Sequence, residues 1–366
     1  GANRHKLEGT GYTVEQVIKH NISIAKKAAQ NKAKVALDIG PIGELMQPLG
    51  QLSFDQAYDI FKEMIIAGAN TGADLIVLET MTDLYEVKAA VLAAKENSNL
   101  PIWVTMSFEQ NGRTFTGTTV PAMALTLEGL GVDAIGINCS LGPQEILPLM
   151  QELSQWTKLP LIAKPNAGLP DPKTGSYMIT PKQFSQQMKG FWDIGVNIVG
   201  GCCGTSPAFI QALADIKEAG KTKAKKTFNG VCSSSNAVSF NGIRVIGERI
   251  NPTGKKRLQQ ALKEHDMNYV MRLALEQAEA GADILDINVG LPGLDEVSLM
   301  KDVVQAVQSV VNLPLQIDSS NPKAIEAGLR YANGKAIVNS VNAEDNKLEA
   351  ILPIVKKYGS CIVGLS

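Results

Sequence analysis

Three cysteines carry the strongest chemical signal in this chain. Cys139 ends the segment Gly136-Ile-Asn-Cys139. An adjacent pair, Cys202 and Cys203, follows 63 positions later in Gly200-Gly-Cys-Cys-Gly-Thr205. Each segment closes an apolar run that reads as a strand. If both strands belong to one β/α barrel, their C-terminal ends share the mouth where such folds gather reactive groups. The flanking glycines permit backbone angles that a side chain would block, so neighbouring cysteines can both turn toward one ion. Three thiolates suit Zn²⁺, a borderline-soft ion that favours tetrahedral sites, and three protein ligands leave its fourth position open. Cys232 and Cys361 lie elsewhere and offer no obvious fourth ligand. The expected occupant of the open position is a small thiol. A free alkyl thiol titrates near ~8.5, so little of it is thiolate at pH 7, and zinc coordination removes the proton. Three anionic sulfurs around the metal leave such a thiolate nucleophilic, which alkyl transfer to sulfur requires. Two other readings stay open: buried small hydrophobes and a redox-active vicinal pair.

The second half offers a different set. Asp286 and Asn288, Asp318, and Asn339 fall at the C-terminal ends of the apolar runs Ile284–Gly290, Leu313–Asp318 and Ala336–Asn339. Glu248 and Asn251 lie on and after the run Arg244–Arg249. Together they would ring one mouth with carboxylates and amides. A carboxylate accepts two neighbouring N–H donors, and an amide meets a mixed donor–acceptor edge. Asp and Asn also favour helix caps, which remains the competing role for each.

The elements needed to hold these residues follow a β/α rhythm. Val35–Ile39, Leu75–Glu79, Ile102–Phe108, Ala134–Cys139, Leu161–Pro165 and Asn197–Gly201 are short apolar runs. Between them lie amphipathic stretches such as Phe54–Thr71 and Tyr85–Glu96. Continuous apolar strands alternating with helices imply a parallel sheet covered on both faces. From Glu218 to Phe240 the texture turns Lys- and Ser-rich and reads as a linker. Five more runs follow, ending at Cys361–Leu365. Six and five strands do not divide into closed barrels of eight. The expected fold is therefore α/β, with two consecutive TIM-type barrels, the first lacking its opening strands and the second its closing ones. The expected boundaries are 1–218, a linker at 219–241, and 242–366.

Composition narrows the function classes. Lys and Arg total 35 against 36 Asp and Glu, a net charge of −1. That balance leaves no electrostatic footprint for nucleic acid or an anionic membrane. No apolar stretch of about 18 residues is present to span a bilayer. Five cysteines without a regular framework fit a reducing cytoplasm, where clustered thiols point to metal binding or catalysis.

The quoted segments also resemble known families. GINCS followed by GGCCGTSP is similar to the zinc site of the homocysteine S-methyltransferases, as are LETMTDLYEVKAA at 78–90, VTMSFEQNGRTFTGT at 104–118 and KPNAGLP at 164–170. This resemblance covers residues 1–218. It implies that Cys139, Cys202 and Cys203 hold zinc, that homocysteine is the thiol, and that Glu79 binds its ammonium as a charge-assisted acceptor. A helix-cap or loop role is the alternative for Glu79. Asn138 would orient the substrate or brace the metal loop. RVIGERINPTGK at 244–255, LDINVG at 285–290, QIDSSNPKAIEAGL at 316–329 and IVNSVN at 337–342 resemble the pterin-binding barrel of methyltetrahydrofolate methyltransferases. Asp318 and Asn339 are then the leading pterin contacts, with Asp286 and Asn288 next and Glu248 and Asn251 as supports.

The two modules in this order resemble the cobalamin-dependent methionine synthase family. That implies a zinc-held homocysteine thiolate accepting a methyl group from methylcobalamin, regenerated from 5-methyltetrahydrofolate. The corrinoid-binding domain would lie beyond residue 366 or on another chain. The alternatives are a corrinoid-independent enzyme using S-methylmethionine or a betaine-like donor, and a non-enzymatic zinc-binding scaffold.

Overall fold

The computed structural model describes residues 2–171, 173–216 and 228–365. Two compact units emerge. One takes the chain up to Val120 and resumes at Val132; the other takes Pro121–Gly131 and the chain from Phe228 onward.

In the first unit the six apolar runs become strands. β1 (Ala36–Ile39), β2 (Leu75–Met81), β3 (Ile102–Met106), β4 (Ala134–Asn138), β5 (Leu161–Lys164) and β6 (Ile198–Val199) pair in chain order, all parallel. Burial explains their composition. All five residues of β4 are buried, and Leu75–Leu78 are buried before β2 opens toward solvent at Glu79 and Thr80. Each fully buried Leu or Ile contributes roughly 1.5–3 kcal/mol.

Helix starts are set by local chemistry. Thr13 with Gln16, Ser53 with Gln56, and Thr180 with Gln183 form reciprocal capping boxes. Each box satisfies two backbone N–H groups that the first helical turn leaves without partners. Helix Phe54–Asn70 is amphipathic as expected and buries Phe54, Phe61 and Ile65. Helix Leu84–Asn97 departs from expectation, because Leu84–Ala94 are buried on every side. Its alanines (Ala89, Ala90, Ala93 and Ala94) admit close packing all round. Its buried Glu86 accepts a hydrogen bond from the Ile42 amide at 2.7 Å. Burial pushes the Glu86 carboxyl up to about 7.

In the second unit a short hairpin comes first: β7 (Gly230–Cys232) and β8 (Ala237–Ser239), antiparallel. It falls within the expected linker at 219–241, whose residues 219–227 lie outside the described residues. The remainder is not a bare tether. Val231 and Val238 are buried with Ile284 and Ile337, against Cys361 and Val363. Ile284, Ile337 and Cys361 are the first residues of the parallel strands Ile284–Ile287, Ile337–Val341 and Cys361–Gly364. The hairpin therefore covers the N-terminal ends of the strands. Two inward valines amid serines were too brief a pattern to read as strands.

β9 (Ile246–Ile250), β10 (Ile284–Ile287), β11 (Leu315–Asp318), β12 (Ile337–Val341) and β13 (Cys361–Gly364) follow, again parallel and in chain order. The α/β class with parallel sheets is as expected. Neither sheet closes on itself among the described residues. No helix among them is long and apolar enough to cross a membrane.

Candidate functional site

Cys139 leaves the end of β4, and Cys202 and Cys203 follow β6. Their sulfurs all lie within 4.8 Å of one another, with Cys139 Sγ and Cys203 Sγ 3.7 Å apart. Four sulfurs at ~2.3 Å from a tetrahedral ion stand about 3.8 Å apart, so the observed spacing fits one zinc ion with small closure.

The intervening strand β5 and the loop after it hold both segments. Cys139 N donates to Lys164 O at 3.1 Å and Cys202 N to Pro165 O at 2.9 Å. Cys203 N donates to Asn166 Oδ1 at 3.0 Å. Thr205 closes the turn by donating its hydroxyl to Cys202 O at 2.7 Å. Cys139 and Ser140 have φ of +63° and +58°. Non-glycine residues are rarely held there, and such strain clusters at functional sites. Gly204, at φ +78°, lies beneath the Tyr177 ring; a Cβ there would stand 2.3 Å from Tyr177 Cγ.

The metal-free cluster shares protons unequally. A hydrogen bond from Cys202, ahead of the Ser140 amide and Cys203, pulls Cys139 down to about 5. Cys202 is pushed up, first by its bond to Cys139 and then by burial. Burial, then Cys139, pushes Cys203 up. These shifts belong to the cluster, since one thiolate forms easily and the next two form against its charge. Zinc needs all three as thiolates. At pH 7 its uptake is expected to release about two protons, because the metal-free cluster already holds one thiolate. Affinity should fall roughly a hundredfold per unit as pH drops from 8 to 6. Calorimetry in buffers of different ionisation enthalpy counts the protons, and release of none would contradict this assignment.

Glu79 and Asn138 join the cluster. Asn138 is fully buried. Its Oδ1 accepts from Thr80 N at 2.9 Å. Its Nδ2 donates to Thr80 Oγ1 at 2.7 Å and Glu79 Oε1 at 3.3 Å, and lies 3.8 Å from Cys202 Sγ. Glu79 Oε2 pairs with Lys164 Nζ. Lys164, Asn166 and Thr80 were not among the residues expected at the site. KPNAGLP contained the first two, but their function appears only when β5 is seen between β4 and β6.

In the second unit, Asn251 and Asn288 follow β9 and β10, Asp318 ends β11, and Glu248, Asp286 and Asn339 lie within β9, β10 and β12. Asn288 Nδ2 donates to Asp318 Oδ2 at 2.9 Å. Asp318 stands in register with Asn339. Asn251 Nδ2 donates to Glu248 Oε1 at 2.8 Å, in an exposed pair. Asp286 is 1% exposed. Its Oδ1 accepts from Gln316 Nε2 at 2.6 Å, while its buried Oδ2 has no hydrogen-bond partner. Burial, with the charges of Asp318 and Glu248 adding to it, raises this carboxyl to about 6. Gln316, absent from the expected set, is revealed by its pairing across to Asp286.

Comparison with known proteins agrees with both units. Residues 1–216 match the family model described as homocysteine S-methyltransferase, and residues 247–365 match that described as pterin binding enzyme. The methionine synthases of Mycobacterium tuberculosis and Mycobacterium leprae are 32% and 30% identical over alignments covering 92% and 96% of this chain. The chain spans 30% and 31% of their lengths. An oxidized form of the Escherichia coli homocysteine methyltransferase MmuM shares the fold at 23% identity and a TM-score of 0.51, over 58% of this chain and 75% of that one. With the first family model covering more than half of its length, this chain belongs to the homocysteine S-methyltransferase family of methyltransferase enzymes.

Proposed function

We propose that this chain activates homocysteine for methylation and binds the 5-methyltetrahydrofolate from which the methyl group originates, as the corresponding part of a methionine synthase. The three-sulfur cluster carries the reading, because its spacing fits zinc and supplies three ligands, leaving a fourth place for a substrate sulfur. When bound, zinc would keep the substrate sulfur deprotonated at neutral pH.

The chain's own residues do the rest. Cys139, Cys202 and Cys203 form the anionic cradle. The Asn166 side chain fixes the Cys203 amide, and Asn138 sets the Glu79 carboxylate. Glu79 takes the substrate ammonium. In the second unit, the unpartnered Oδ2 of Asp286 suits a buried N–H donor of the pterin. Asp318 and Asn339 present the adjoining acceptor and amide, with Asn288 orienting Asp318; Glu248 and Asn251 support the rim.

We read each sheet as part of a TIM-type barrel wall. Glu79 on β2 and Lys164 on β5 are three strand spacings apart, about 14 Å in a flat sheet. Their ion pair is in keeping with a curled one. The reading also calls for a partner, a corrinoid-bearing module outside these residues, that would carry the methyl group between the two substrates. All five cysteines are free, in keeping with a reducing cytoplasm. A direct methyl donor would leave the second carboxylate-and-amide ring without a purpose.

X-ray absorption on the zinc-loaded chain tests the proposal. Three sulfurs around zinc should become four on adding homocysteine. A folded, reduced sample that takes up no zinc would overturn it, and an unchanged sulfur count would favour a scaffold.

A further inference from the structure

Lys164 has no part in the chemistry described so far, yet its ammonium sits where the substrate's would go. It pairs with Glu79, and both side chains are only about one-fifth exposed, 20% and 21%. Neither is sealed from a small molecule. The pair joins β2 to the end of β5, with Asn138 of β4 holding the other Glu79 oxygen. The lysine stem has a prepared berth. Gly200 lies beside it, and a Cβ on Gly200 would stand 3.2 Å from Lys164 Cγ and 3.4 Å from Cδ. The first glycine of the Gly-Gly-Cys-Cys segment thus leaves room for the lysine to extend past it. From Glu79 Oε1 to Cys202 Sγ the path runs through one atom, Asn138 Nδ2, in legs of 3.3 and 3.8 Å. A carboxylate, an ammonium and the sulfur cluster therefore occupy neighbouring places in one mouth.

We propose that Lys164 binds the α-carboxylate of the amino-acid thiol, so that Glu79 and Lys164 together recognise a free zwitterion and exclude thiols lacking either charge. This rests on the homocysteine reading above and adds a specificity-determining residue to it. The chemistry follows from donor counts. An ammonium carries three N–H donors, so Lys164 can keep one on Glu79 and offer another to a substrate carboxylate. A free α-amino acid carries its two charged groups on one carbon, matching an acceptor and a donor already side by side. With no ligand, the lysine satisfies Glu79, so neither charge waits unpaired. N-acylation or amidation of the substrate would remove one charge and leave a pocket group without its partner, the situation that gives polar sites their strongest discrimination.

Three probe thiols separate the contributions: homocysteine, 3-aminopropanethiol, which lacks the carboxylate, and 4-mercaptobutyrate, which lacks the amine. Their binding to the zinc-loaded chain is measured by calorimetry, with X-ray absorption confirming a fourth sulfur. Lys164→Met should weaken homocysteine and 4-mercaptobutyrate roughly tenfold or more and leave 3-aminopropanethiol within about twofold. Lys164→Arg should restore much of the loss. Glu79→Gln should weaken homocysteine and 3-aminopropanethiol and spare 4-mercaptobutyrate. If Lys164→Met weakens all three thiols alike, or leaves homocysteine unaffected, Lys164 does not read the carboxylate. Those outcomes leave the homocysteine reading standing. A zinc-loaded wild-type chain that binds no homocysteine would instead remove that reading and this assignment with it.

Discussion

Replacing Cys202 with alanine is expected to lower zinc affinity by at least a hundredfold while the chain remains folded. Removing groups that merely orient metal ligands costs roughly 10- to 100-fold, so losing one of three ligands should cost more. The fold should tolerate the change. Cys202 is half-buried, and its backbone bonds, N to Pro165 O and the Thr205 hydroxyl to Cys202 O, do not use the sulfur. The stability cost should stay near the typical ~1 kcal/mol of a point substitution. Competition against a chromophoric chelator measures the affinity, and thermal unfolding checks the fold. Cys232→Ala is the matched control, since Cys232 belongs to the other unit and lies outside the cluster. Zinc affinity within tenfold of wild type in Cys202→Ala would remove this residue from the ligand set.

The second large effect couples binding to pH. Asp286→Asn should weaken methyltetrahydrofolate binding roughly tenfold or more, because the amide places a donor where the pterin N–H needs an acceptor. The same substitution should change how stability responds to pH. Burial raises the Asp286 carboxyl from 3.8 to about 6. The folded protein therefore holds this proton more tightly than the unfolded chain does. Its contribution to stability is intact below about pH 4 and is lost as pH rises through 6. An asparagine has no proton to lose. Between pH 4 and 8 the stability difference should shift in the mutant's favour by about 2–3 kcal/mol. Denaturant unfolding across that range measures it. Parallel pH profiles for mutant and wild type would show that the surroundings do not raise the Asp286 carboxyl. Asp318→Ala, at a less buried position, should also weaken the folate.

Much of the architecture is legible in the sequence. The apolar runs sit where strands form because a strand buried on both faces admits little but Val, Ile, Leu and Ala. In the fold, helix starts are set just as locally, since Thr13, Ser53 and Thr180 each cap with a glutamine three residues on. The β7–β8 hairpin was not legible, because its two buried valines acquire meaning only from Ile284 and Ile337, many residues away in the chain. Helix Leu84–Asn97 is buried all round rather than amphipathic for the same reason: burial on its polar-looking face comes from packing that no local period reports.

The site divides along the same line. Residue types by themselves determined its chemistry: three soft, ionisable sulfurs beside glycines in one half, and carboxylates and amides at strand ends in the other. Only the tertiary structure decided which atoms meet. It drew the three sulfurs within 4.8 Å, put Lys164 on Glu79 across 85 residues, and left one buried oxygen of Asp286 without a partner. The physical reason is that a side chain's identity sets what it can bind. Distance and solvation, which neighbouring strands impose, set whether it is charged, paired or waiting for a ligand.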